Sequence, residues 1–120
     1  PLPMNEEEKA NREYRLYEFL RLASLDDSIL LRADDWKHVE QEIHALWPDF
    51  GRKLYEYGVN LSDTERRICW MARMNIPPLG MATILKRSKA AISLARSRLY
   101  RKLHGTPGTG QMLDAFIRQL

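Results

Sequence analysis

Three scarcities bound what this chain can be. It holds one cysteine, Cys69, only two valines, Val39 and Val59, and no long apolar run. A single thiol excludes an internal disulfide and gives no zinc-ligand spacing. Cys69 falls among apolar positions of a predicted helix, so it reads as a buried thiol. With valine so rare and period-two alternation missing, strands are not expected. No stretch approaches the ~20 apolar residues of a membrane span, and no secretory signal is visible. Nor does the order of Ser, His, Asp and Cys suggest a nucleophile with its base. Carboxylates occupy capping or exposed positions and form no catalytic pair. His38 and His44 stand six apart on a predicted helix and share no face, so they offer no metal site. Enzymatic activity, a metal and a cofactor are therefore not expected.

What the chain does have is helix-forming composition and lopsided charge. Leu, Glu, Arg, Ala and Lys dominate, which predicts an all-α fold. A length of 120 residues with 44% apolar content suits one modest core. The net charge of +3 conceals an asymmetry. Residues 1–60 carry 8 Lys and Arg against 13 Asp and Glu; residues 61–120 carry 11 against 3. Such a division predicts an acidic scaffold bearing a basic half suited to nucleic acid. The opening Pro1-Leu2-Pro3-Met4 reads as a cut within a longer protein, leaving room for an upstream sensor, repeat or membrane region.

In the acidic half, a first helix is expected from Asn5 to Ala23, with Glu6, Glu7 and Glu8 in its first turn, where the macrodipole favours them. Leu16, Phe19, Leu20 and Ala23 form its apolar stripe, flanked by Tyr14 and Tyr17. A short helix is expected over Asp27 to Arg32. Asp34 is then placed to cap a helix of Asp35 to Leu46, with Trp36, Val39, Ile43 and Trp47 on one buried face. Pro48 opens the next helix, which carries Phe50, Leu54 and Tyr55 and ends at Gly58.

The basic half begins with a capping box, Ser62-Asp63-Thr64-Glu65, followed by apolar Ile68, Cys69, Met71 and Ala72 on one side. Asn75 suits a left-handed helix end, and Pro77-Pro78 starts a short helix to Lys86 with Met81, Ile84 and Leu85 inward. Lys86-Arg87 turns the chain and Ser88 caps the next helix. There Ile92, Ala95, Leu99 and Leu103 recur at intervals of three and four and are expected to form the inward seam. The opposite side presents Lys89, Ser93, Leu94, Ser97 and Arg101, with Arg96 and Tyr100 at its edges. Seven cations and no acid lie between Lys86 and Lys102. Compact residues ringed by cations suit a helix laid in the major groove, so Lys86, Arg87, Lys89, Ser93, Leu94, Arg96, Ser97, Arg98, Tyr100, Arg101 and Lys102 are the candidate contacts to double-stranded DNA.

Leu61 to Leu103 resembles the LuxR-type (FixJ/NarL-type) helix-turn-helix of bacterial transcription regulators. The resemblance is ungapped and rests on Leu61-Ser62-Asp63-Thr64-Glu65, Met81-Ala82-Thr83-Ile84-Leu85, and Ser88 through Ala95 with the basic exit Arg96 to Leu103. Ser93 stands at the family's Lys, Ala95 at its His and Asn75 at its Gly, which implies a different sequence readout. The resemblance implies N-terminal helices as a lead-in over 1–58 and a tetrahelical DNA-binding domain over 59–120. It implies the cytoplasmic C-terminal output end of a longer regulator, behind a sensor or tetratricopeptide-type region, with a homodimer and RNA polymerase as partners. The alternative is a protein-interaction module, close to a region-four sigma domain, that contacts the transcription machinery. His104 to Gly110 is a loop without the Lys-Ser/Thr of a phosphate loop. A last helix, Gln111 to Leu120, carries Met112, Leu113, Phe116, Ile117 and Leu120, for packing or dimerisation.

Overall fold

A computed structural model describes residues 3–57 and 60–120. Among these residues the chain is all-α: seven helices and no strand. The expected terminator Gly58 lies outside the described residues.

Local caps set most of the helix starts. α1 (Glu6–Leu25) begins where the Asn5 side chain accepts the Glu8 N–H at 2.8 Å. Leu16, Leu20, Ala23 and Ser24 form its buried stripe, while Phe19 is half-buried with its ring edge-on to His38. Residues 26–32 are not the short helix the composition suggested. The Asp26 carboxylate accepts both the Ser28 N–H (2.9 Å) and the Ser28 hydroxyl (2.6 Å), a side-chain turn that takes the donors a helix would use.

α2 (Ala33–Leu46) is capped at Arg32 and not at Asp34: the Asp35 carboxylate reaches back to the Arg32 N–H at 2.8 Å. Its buried face is Trp36, Val39, Ile43 and Leu46. Trp47 falls beyond the helix end and is half-buried under Arg73. In α3 (Pro48–Tyr57) Phe50 and Leu54 are buried, but Tyr55 is 78% exposed and no part of the core.

α4 (Asp63–Arg73) opens with the full capping box. Ser62 Oγ accepts the Glu65 N–H at 3.1 Å, and Glu65 accepts the Ser62 N–H at 2.8 Å. Ile68 to Ala72 are all buried, and burial, with Glu65 nearby, pushes the Cys69 thiol up to about 12. Asn75 leaves the helix at φ +60°. α5 (Pro78–Leu85) ends at Lys86, also left-handed, and Ser88 accepts the Ala91 N–H to start α6 (Lys89–His104). α7 (Gly110–Gln119) starts at Thr109, whose hydroxyl accepts the Met112 N–H at 3.2 Å.

One core runs through all seven helices. α1 packs on α5, α2 on α3 and α4, and α6 on α5 and α7. The N-terminal helices are therefore packed onto the C-terminal ones, α1 on α5 and α2 on α4. Among the described residues, no helix is long and apolar enough to cross a membrane.

The α1–α5 crossing depends on Gly80. A Cβ there would stand 2.8 Å from Ser24 Cβ and 3.0 Å from Ile76 Cγ2, both too close. Gly80→Ala should therefore destabilise the fold by about 1–3 kcal/mol through overpacking, read as a lower urea midpoint with an unchanged slope.

Candidate nucleic-acid interface

α6 has two unequal sides. Ile92, Arg96, Leu99 and Leu103 point inward, none more than 7% exposed. The expected seam had Ala95 where Arg96 now stands; Ala95 is half-buried. Both sets satisfy helical spacing, and α7 selects between them. Asp114 of α7 receives Arg96 in a buried two-pronged ion pair, with Nε to Oδ1 at 3.3 Å and Nη2 on Oδ2. Gly110 leaves room for this guanidinium, since a Cβ there would stand 2.6 Å from Arg96 Cζ. Arg96 is thus removed from the candidate DNA contacts.

Tyr100 is engaged within the molecule as well. Its half-buried ring stacks on His104 with centroids 4.3 Å apart, and His104 meets Phe116 edge-on at 4.3 Å. Gly108 lies directly against the same ring. These aromatics fasten the α6–α7 connection.

Two lysines are exposed but engaged. The Lys86 ammonium donates to the Asp27 carbonyl, and the Lys102 ammonium to the Asn60 carbonyl and, at 2.8 Å, to Glu65 Oε1. Lys102 thereby ties the end of α6 to the capping box of α4. Burial pushes the Glu65 carboxyl up, yet hydrogen bonds from Lys102 and the Ser62 N–H outweigh it and hold it below its ordinary range.

Four cations remain: Arg87, Lys89, Arg98 and Arg101 are exposed, and none forms an ion pair among the described residues. Between them the outward side of α6 carries Ala90, Ser93, Leu94 and Ser97. Leu94 is 49% exposed, and the Ser97 hydroxyl donates to the Leu94 carbonyl at 3.1 Å, which leaves its oxygen free to accept. No Asp or Glu occurs from Arg66 to Leu113, and the first turn of α6 has no acid. The helix dipole thus adds to the positive field at this end. Such a surface can hold an extended anion at its margins and press small side chains against whatever lies between.

Asp114, the buried partner of Arg96, is the residue beside the candidate interface that the sequence did not point to. Its signal was a lone acid between the buried positions Leu113 and Ile117 of an otherwise apolar stripe.

Asp114→Ala should cost about 3–5 kcal/mol in urea unfolding, because it strands a buried guanidinium. Arg98→Ala, on the exposed side, should stay within roughly 0.5 kcal/mol. The Glu65 contact gives a pH dependence. Its folded pKa lies below its unfolded one, so its contribution is present above the unfolded value of about 4.3 and is lost as pH falls through the folded value. Glu65→Gln should flatten the fall in urea midpoint below about pH 5, and an unaltered pH profile would assign the acid sensitivity to other carboxylates. Comparison of the chain with protein-family models, characterised proteins and solved structures gave no match.

Proposed function

We propose that this protein is a DNA-binding transcription regulator of the LuxR helix-turn-helix type, with α6 as its recognition helix. One observation carries the reading. Arg98 and Arg101 on the outward side of α6, Lys89 in its first turn and Arg87 in the turn before it are exposed and form no ion pair among the described residues, beside the compact side chains Ala90, Ser93 and Ser97 and the exposed Leu94. Uncompensated cations repel one another, and a phosphate backbone is the partner that relieves them over this length.

In this arrangement the four cations take phosphates and fix the register of the helix. Ser93 and Ser97 offer hydroxyls to base edges, and Leu94 is placed for a thymine methyl. Four phosphate contacts make a modest site. High specific affinity then requires two copies on half-sites about one helical turn apart, which is the role proposed for a homodimer. Catalysis has no part in this function.

The test is fluorescence anisotropy of a labelled mixed-sequence duplex at low and moderate salt. Binding should weaken with salt at a slope of about −0.9 per phosphate contacted. Arg101→Ala should weaken binding to every duplex and reduce the slope by about one. A folded protein that binds no duplex at low salt would overturn the reading in favour of a protein partner, such as the transcription machinery.

A further inference from the structure

A second site lies between α1 and the end of α4. A cleft of about 250 Å³ is walled by Ala10, Tyr14, Tyr17, Trp47 and Arg73, with Glu13 among its lining residues. Arg73 sits over the Trp47 ring, its Cζ 3.8 Å from the ring centroid. It forms no ion pair among the described residues. Unlike the exposed unpaired arginines Arg87, Arg98 and Arg101, Arg73 is held against an indole at the wall of a cleft. Burial pushes its guanidinium down from the ordinary value, with only the field of Glu13 acting the other way.

The chemistry of the walls narrows the ligand. A guanidinium resting on an indole keeps its N–H donors at its edge, where they match the two oxygens of a carboxylate. Tyr14 and Tyr17, three residues apart on α1, both line the cleft, and Tyr14 is left 64% exposed. Glu13 opposes a second negative charge and accepts a hydrogen bond from a hydroxyl or amino group. The volume admits one ring with its substituents.

We propose that this cleft binds a small planar monocarboxylate, a hydroxy- or amino-substituted aryl acid, with its carboxylate on Arg73, its ring against Tyr14 and Tyr17, and its polar substituent toward Glu13. The proposal is independent of the DNA reading.

The experiment titrates 4-hydroxybenzoate into the full chain, followed by two-dimensional amide NMR. The expected result is saturable shifts confined to Tyr14, Tyr17, Arg73, Asn75 and the Trp47 indole, with Kd of about 1 mM for a ligand of this size. Arg73→Lys keeps the charge but loses the fork, and should weaken binding roughly tenfold. Tyr14→Leu, at an exposed position that leaves the fold intact, should also weaken it. Phenyl phosphate and cyclohexanecarboxylate should bind more weakly than 4-hydroxybenzoate. No localised shift up to about 10 mM ligand overturns the proposal, as does an affinity unchanged in Tyr14→Leu or in natively folded Arg73→Lys.

Discussion

The orientation of α6 rests on the buried pair between Arg96 and Asp114. Arg96 lies within the apolar sector of the helix, flanked by Ile92, Leu99 and Leu103. It cannot turn to solvent without lifting part of that sector out of the core. A guanidinium can stay there only if its charge is matched at short range and its donors are bonded. Asp114 does both, and Gly110 supplies the clearance. The pair thus joins α7 to α6 and keeps Arg96 off the outer surface, while Ile92, Leu99 and Leu103 set the inward side of the helix. With Arg96 inward, the centre of the outward side falls between Leu94 and Arg101, and Ser93, Ser97 and Arg98 fill its flanks.

The burial of Arg96 changes the meaning of the charge run. Seven cations between Lys86 and Lys102 look in sequence like one basic surface. In three dimensions they divide by task. Arg96 holds α7, Lys102 holds the start of α4, and Lys86 holds the loop after α1. Only Arg87, Lys89, Arg98 and Arg101 are spared for an external anion. A polyelectrolyte contact scales with cations that actually meet phosphates, so the full count would overstate both affinity and salt slope. The cations spent internally still contribute: they hold rigid the helix that carries the free ones.

Much of the fold was legible because its signals are local. Ser62 with Glu65, and Ser88, each bond a backbone N–H three residues on, and Asn75 takes a left-handed exit. Such features need no knowledge of the rest of the chain. The misreadings have two sources. At 26–32 a competing local bond, Asp26 to Ser28, overrides helix-forming composition, and at Arg32 the cap is formed from the far side by Asp35. Elsewhere the deciding partner is distant. Ile92-Ala95-Leu99 and Ile92-Arg96-Leu99 are equally good helical seams, and the choice belongs to Asp114, 18 residues away. Lys86 and Lys102 are anchored by backbone carbonyls of Asp27 and Asn60, and a carbonyl has no sequence signature. The free cations were found; which cations were not free could not be read.

The acidic half also shapes how an anion can approach. α1 packs on α5, closely enough that Gly80 meets Ser24, and the following loop brings Asp26 and Asp27 beside Lys86. At the other end of α6, Glu65 stands beside Lys102. The exposed cation strip is therefore bordered by carboxylates at both ends. Within a Debye length of about 8 Å these acids oppose a phosphate that strays past either border. The field of the strip is therefore most positive over the middle of α6 and weaker toward the α1 loop.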